Sequence, residues 1–282
     1  AGCYNRADRH SPADSTRMAD TLPISCFIIA QDEADRIPLT IRSVRDWVDE
    51  VIVVDSGSTD DTVAVAEGLG ARVVHNEWRG YGPQKVFGES LCRNDWILNL
   101  DADESITPAL RDEIAALFRG GEPPRPLYRL RVTTVYPHHD APRPMAEYKN
   151  VIRLYDRRVA GFPDHPTWDA ITPPPGAAVG QTRAPCLHHT WRSVGHYMDK
   201  INAYTTMQAA HQPLRPMPVL VVRLVLGIPL DFLKAYIWRR HFTGGSFGFI
   251  VSGLFVVSRF LKNAKMIERH LSGGPGAGPR GE

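Results

Sequence analysis

The chain predicts an α/β fold: a doubly wound parallel sheet, then a helical C-terminal region of different character. Three observations carry this. Four short, almost wholly apolar runs alternate with segments of helical spacing, as in a parallel sheet whose strands are buried on both faces. Each of three of those runs stops at a polar or acidic cluster: Gln31-Asp32-Glu33, Asp55-Ser56-Gly57 and Asp101-Ala102-Asp103. Finally, the charge is uneven. The net charge of the 282 residues is only +2, which excludes a whole-chain case for nucleic-acid binding, yet residues 192–270 hold eleven Lys/Arg against three acids.

Residues 1–21 are polar with no apolar core of a signal peptide, and are expected to be a disordered lead-in. Residues 24–30 (Ile-Ser-Cys-Phe-Ile-Ile-Ala) form the first predicted strand. Residues 38–48 follow as a helix, with Ile37, Ile41, Val44 and Val48 on one side. Residues 51–54 are a second buried strand ending at Asp55. A polar turn then leads into a helix over 62–69, with Gly70 placed to end it. Residues 71–75 are a third strand, 83–93 a helix and 96–100 a fourth strand. Beyond Gly120 proline becomes frequent and the rhythm stops. Residues 127–135 and 150–155 read as strands of an antiparallel extension carrying an acceptor site, and 193–211 as a helix broken by Pro213, Pro216 and Pro218. The four cysteines (Cys3, Cys26, Cys92, Cys186) form no metal or redox spacing. Cys26 is expected to be buried, and a reducing compartment is the default reading.

Asp101-Ala102-Asp103 is the sharpest chemical signal. In open α/β sheets ligands bind outside the C-terminal ends of the strands, and the pair emerges at one. Two such carboxylates can share Mg²⁺ or Mn²⁺ with the oxygens of a diphosphate, and the ion would then stabilise a departing nucleoside diphosphate. A solvated acidic turn is the alternative. Asp55 ends another strand, where its carboxylate can accept hydrogen bonds from a nucleobase or ribose, while Ser58, Thr59 or Asp60 caps the next helix. Gln31-Asp32-Glu33 reads more simply as a polar loop. Lys85 could pair with a diphosphate or simply be solvated.

Taken in order, these segments resemble glycosyltransferase family 2. The motifs are Ala30-Gln31-Asp32-Glu33, Val53-Val54-Asp55-Ser56-Gly57-Ser58-Thr59-Asp60, Trp78-Arg79-Gly80-Tyr81-Gly82-Pro83-Gln84-Lys85 and Leu100-Asp101-Ala102-Asp103-Glu104. More narrowly they are similar to lipopolysaccharide-core glycosyltransferases of the WaaE/LgtF kind, over about residues 22–270. The resemblance implies a GT-A fold with a catalytic domain over 22–190 (donor site 22–120, acceptor region 121–190), a membrane-associating region over 191–271 and a flexible tail over 272–282. It implies an inverting, metal-dependent hexosyltransferase that uses a UDP-sugar, with UDP-glucose the first candidate, and a lipid-linked or lipopolysaccharide-core acceptor. Its place would be the cytoplasmic face of the inner membrane, peripheral or monotopic.

Carried over residue by residue, Ala30, Glu33 and Asp55 would line the uridine site, and Lys85 would contact the diphosphate. Asp101 would lie near the ribose and donor phosphates, and Asp103 would bind the metal. Asp32 stands where relatives usually have Asn. Arg153-Leu154-Tyr155 matches an Arg-Leu-(Phe/Tyr) segment. The His-Glu segment that follows in the family reads Asp164-His165-Pro166-Thr167-Trp168-Asp169 here. That makes Asp169 the expected catalytic base, taking the acceptor hydroxyl's proton, with Asp164 in reserve. His188, before His189 and Trp191, would approach the metal or diphosphate; a buried structural histidine is the alternative. Trp238-Arg239-Arg240-His241-Phe242 resembles a further family segment.

Residues 243–258 are sixteen without a formal charge, short of the roughly 20 that a spanning helix needs. Residues 219–230 are interrupted by Arg223 and Pro229. Neither is expected to span. Val257, Phe260, Leu261, Ala264, Ile267 and Leu271 recur at helical spacing among Arg259, Lys262, Lys265 and Arg269, the pattern of an in-plane helix on an anionic membrane surface.

Two rival classes remain. A sugar-phosphate nucleotidyltransferase needs a basic glycine-rich loop after the first strand, whereas residues 30–36 hold no glycine and three acids. A degenerate membrane-bound glycan-binding module would not need the Asp101/Asp103 pair. Among transferases, a polyprenyl-phosphate-linked acceptor for exopolysaccharide or capsule is the alternative.

Overall fold

A computed structural model describes residues 21–165 and 168–272. The expected disordered lead-in and most of the expected flexible tail lie outside the described residues. The strands are β1 (Leu22–Ala30), β2 (Val48–Asp55), β3 (Arg72–His75), β4 (Trp96–Asp101), β5 (Glu104–Ile106), β6 (Leu127–Thr134), β7 (Tyr148–Asp156) and β8 (Val179–His188). The helices are α1 (Ile37–Val44), α2 (Thr62–Gly68), α3 (Tyr81–Ser90), α4 (Pro108–Leu117), α5 (Val194–His211), α6 (Met217–Val225), α7 (Gly227–Leu233) and α8 (Gly245–Leu271). A π-helical turn (Lys234–Trp238) and a 3-10 turn (His241–Gly244) join α7 to α8.

The strands form one sheet in the order β3-β2-β1-β4-β7-β6-β8-β5. β3, β2, β1 and β4 are parallel, and β7 joins β4 antiparallel. The parallel half and its antiparallel extension are thus those expected. The driving force is visible in β1 and β2: Ile24, Phe27, Ile28, Ile52, Val53 and Val54 are fully buried, on both faces of the sheet.

Several boundaries differ from expectation. The first helix ends at Val44, and Val48 belongs to β2 rather than to the helix face. Trp47 closes a turn there, donating from its backbone N–H to Val44 O at 3.1 Å and from its indole to Ser43 O at 2.8 Å. Gly70 has φ +84°, the left-handed conformation that ends α2. Ser193 caps α5 by accepting from His196 N, and the predicted prolines separate α5 from α6. β5, α4 and β8 were not anticipated. The described cysteines, Cys26, Cys92 and Cys186, are buried free thiols, and burial pushes Cys92 up to about 12.

The chain divides into two compact units: residues up to Arg131 with Asn150–Cys186, and Val132–Lys149 with Leu187 onward. In the second unit α8 is one helix of 27 residues. His241–Leu271 is long and apolar enough, by length and composition, to cross a membrane. That corrects the expectation that no segment reaches that length, because helical periodicity continues through Arg259 and Lys262 instead of stopping at the first charge.

Candidate active site

The parallel register sets the level of the first site residues. Ala30 stands opposite Asp55, and Ile29 opposite Asp101, so the ends of β1, β2 and β4 meet along one sheet edge. The two loops leaving that edge are stitched together. Asp32 N–H donates to Ser58 Oγ (2.9 Å), Glu33 N–H to Thr62 Oγ1 (2.7 Å) and Ala34 N–H to Asp60 Oδ2 (3.1 Å). Asp32 Oδ1 in return accepts from Thr59 N–H at 2.7 Å and from its hydroxyl at 3.1 Å. Asp32 therefore braces the loop through one side-chain oxygen, a role that the amide oxygen of an Asn would also fill.

Asp55 is buried, and its carboxylate accepts from Gly57 N–H (2.9 Å), Ser58 N–H (3.1 Å) and Ser58 Oγ (2.5 Å). Much of its hydrogen-bonding capacity holds its own turn. None of the three expected caps is the N-cap of α2, which is Asp61 and makes no side-chain cap hydrogen bond; Asp60, one residue earlier, accepts from Thr62 N–H at 3.0 Å. Ser58 and Thr59 bind Asp55 and Asp32 instead.

Three cations organise the remaining acids. Arg36 donates through Nε to Glu33 (2.7 Å) and through Nη2 to its other oxygen (2.5 Å), and its Nη1 lies 3.3 Å from Asp103. Lys85 is only 1% exposed. Its Nζ lies 3.2 Å from Asp101 and 2.8 Å from Asp169, above the Phe162 ring. Arg153, buried in β7, donates to Asn99 (2.8 Å), Asp101 (2.5 Å) and Glu104 (2.6 Å). Burial opposes its charge, but Asp101 and Glu104 outweigh that and raise its pKa.

The solvated reading of Lys85 is thus corrected. Gln84, one residue before it, is fully buried and ties α3 to Ser56 and Asn76. Gly82 permits the approach of α3 to the backbone at 163–165: a Cβ there would lie 2.4 Å from the carbonyl oxygens of Pro163 and His165. Asp164 is exposed, and it is Asp169 that meets Lys85. Tyr81, half exposed, faces the same acids: partial burial, then Asp101, Asp169 and Asp103, pushes its phenol pKa up.

Glu33, Lys85, Asp101, Asp103 and Asp169 therefore belong to two ion-pair clusters of the first unit. Ala30 and Asp55 stand at the same strand edge. His188 ends β8 in the second unit, half-buried. Arg36, Arg153, Glu104 and Tyr81 were not anticipated as site residues. Arg153 did leave a signal, a lone cation among Val151, Ile152, Leu154 and Tyr155, which a buried strand tolerates only when paired.

Among the described residues no three His, Cys, Asp or Glu side chains form a metal-ligating group. The hard oxygens of Asp101 and Asp103 nonetheless suit Mg²⁺ or Mn²⁺, which take one or two protein carboxylates and complete their shell with phosphate and water.

The fold and site define the class: an α/β protein with carboxylates and buried cations at the C-terminal edge of a parallel sheet. The model of glycosyl transferase family 2 matches residues 25–162. An uncharacterized glycosyltransferase of Rickettsia felis is 39% identical over 253 residues, covering 87% of this chain and 89% of the relative. The lipopolysaccharide core biosynthesis glycosyltransferase LpsC of Rhizobium meliloti is 30% identical over 260 residues, 90% of this chain and 95% of that one. The chain belongs to glycosyltransferase family 2. A glucosyl-3-phosphoglycerate synthase of Mycobacterium tuberculosis, solved with Mn²⁺ and UDP, aligns at 29% identity over 43% of this chain and 45% of that one, with a TM-score of 0.31.

Proposed function

We propose that the protein transfers a hexose, with inversion, from a UDP-sugar to a lipid-linked saccharide at the membrane surface, with a divalent cation on the donor. The observation that carries this reading is Lys85, whose Nζ joins Asp101 on the donor side to Asp169 on the acceptor side. A single buried amine at both carboxylates puts a candidate base beside the groups that would hold the diphosphate.

In this reading Ala30, Glu33 and Asp55 receive the nucleoside, Lys85 contacts the diphosphate, and Asp101 lies near the ribose and donor phosphates. Asp103 would hold the cation, with Asp101 nearby and His188 a further candidate ligand; the cation supplies positive charge to the departing diphosphate. The acceptor oxygen bonds to the anomeric carbon as the bond from that carbon to the diphosphate oxygen breaks. Asp169 takes the hydroxyl proton, and UDP leaves. One displacement inverts the anomeric configuration. The name of the LpsC relative supports a lipopolysaccharide-core acceptor, and UDP-glucose is the first donor to test.

The test is release of UDP from a panel of nucleotide sugars with Mg²⁺, with Mn²⁺ and with excess chelator. Turnover of a UDP-sugar that stops in chelator is the expected result. Turnover unaffected by chelator would remove the metal from this account. Binding and hydrolysis of none of the panel would remove the donor.

A further inference from the structure

The second unit exposes apolar side chains where a helix normally hides them. α6 buries only Leu220, which packs with Ala209 and Met266. Val225 is 66% exposed, Leu226 56% and Leu230 63%, and Trp238 in the π-helical turn is 83% exposed. A helix apolar on most sides is ordinarily covered, and contiguous apolar surface marks an interaction site.

The charge around it selects the occupant. Between Gln212 and Lys262 there are seven Lys/Arg and one acid, Asp231, which faces Arg259 at 3.7 Å. Four cations gather beside α6: burial, and then Arg259, Arg215 and Arg223, lowers the pKa of Lys262. A second copy docked about a two-fold axis would set this cluster against itself. Anionic headgroups would neutralise it while acyl chains receive Leu226 and Leu230.

Two of the four expected lipid-facing cations of α8, Lys265 and Arg269, are otherwise engaged. Lys265 Nζ donates to Asn202 O (2.8 Å), Asn202 Oδ1 (2.7 Å), Thr205 Oγ1 (2.9 Å) and Thr206 Oγ1 (2.7 Å). Arg269 donates to Ala209 O (3.0 Å) and Gln212 O (3.1 Å). These bonds fasten α8 to α5, whose Asp199, Lys200 and Asn202 are exposed and would be costly in hydrocarbon. The C-terminal part of α8 is therefore held against a polar helix. α6, α7 and the π-helical turn follow one another with only Leu226 between the first two, and Arg223, Asp231 and Lys234 interrupt their apolar surface, which makes a spanning path costly.

We propose that the α6–α7 segment and the π-helical turn after it insert into an anionic leaflet in the plane of the membrane, and that the C-terminal cations of α8 hold the helices beneath that segment together. The inference rests on the reading of a lipid-linked acceptor, but its vesicle-binding readout needs neither donor nor acceptor and UDP serves only as a control, so the two fail separately.

The full-length protein is floated with phosphatidylcholine vesicles with and without phosphatidylglycerol, and UDP binding is measured in detergent as a control of the catalytic unit. Leu226→Glu with Leu230→Glu alters only exposed side chains; it should cut vesicle binding at least about tenfold and leave UDP binding intact. Arg223→Gln with Lys262→Gln should weaken binding to the anionic vesicles by roughly thirtyfold, about 1 kcal/mol per cation, and blunt its salt dependence. Brominated acyl chains should quench a fluorescence component that Trp238→Phe removes. Binding that ignores the Leu226/Leu230 pair, or that is equal on neutral and anionic vesicles, overturns the proposal. A dimer in detergent-free buffer that the same pair dissociates, without vesicle binding by the wild type, assigns the face to a second copy instead.

Discussion

Arg153 offers a direct test of how the acidic edge is held together. It is 5% exposed and its partner Glu104 is 1% exposed, so both charges are buried and each depends on the other. Nη2 reaches Glu104 at 2.6 Å and Asp101 at 2.5 Å, and Nη1 reaches Asn99 at 2.8 Å. Arg153→Met keeps much of the volume and leaves Glu104 without its guanidinium. Removing one member of a buried pair costs about 3–5 kcal/mol, because the remaining charge is stranded. For a domain of this size that is a fall in Tm of about 6–20 °C. Adding Glu104→Gln removes the stranded charge and should recover about 2 kcal/mol of the loss, a coupling readable in a double-mutant cycle. Urea unfolding can be followed by the fluorescence of buried Trp96, which lies in the adjacent strand β4. A single substitution that costs under about 1 kcal/mol, or a double variant no more stable than the single, would refute the idea that this ion pair holds the edge.

Asp169→Asn keeps the size and removes the proton acceptor, so turnover should fall about 10²-fold or more while UDP binding changes little; near-normal turnover would move the role to Asp164 or another carboxylate. Asp103→Ala should abolish transfer and the dependence of UDP binding on Mn²⁺ without unfolding the protein, as judged by circular dichroism. Arg36 lies 3.3 Å from Asp103, so Arg36→Gln should tighten binding of Mn²⁺ alone several-fold by calorimetry, since a competing cation is gone; unchanged affinity would argue against Asp103 as the ligand. His241 is 7% exposed, and burial, then Arg143 and Arg239, lowers its pKa from 6.5 to about 4. The unfolded state therefore binds the extra proton between those values. Stability is complete above about pH 6.5 and should decline by up to about 3 kcal/mol as pH falls to about 4. His241→Asn should flatten that part of the urea-midpoint profile, and an unchanged slope would assign it to other groups.

The parallel half of the sheet was legible because its code is local. Buried parallel strands must be nearly continuous in apolar residues, as in residues 24–30, 51–54 and 96–100, and a strand of that kind delivers its C-terminal residue to the ligand edge. Asp55 and Asp101 could be placed by this rule before any contact was known. Helix ends at Gly70 and Ser193 are likewise written in a few adjacent residues. β5, α4 and β8 were not legible: β5 has three residues, and β8 carries charged and polar positions at Gln181 and Arg183, too few apolar repeats to mark a period.

Pairing across long sequence separations belonged to the tertiary structure alone. Lys85 meets a carboxylate 84 residues away, and Arg36 meets one 67 residues away. No spacing rule announces such partners, because the fold, not the chain, sets the distance. Without it, Lys85 reads as a diphosphate contact or a solvated lysine, and Arg153 as part of a family-like Arg-Leu-Tyr segment, with no partner named for either. The same applies to the C-terminal region. Its sequence determined that apolar and cationic residues would share helices. Which cations turn inward, Lys265 and Arg269 onto α5, and which apolar side chains stay exposed, Leu226, Leu230 and Trp238, was decided by packing, since a helix side becomes a surface only when its neighbours are in place.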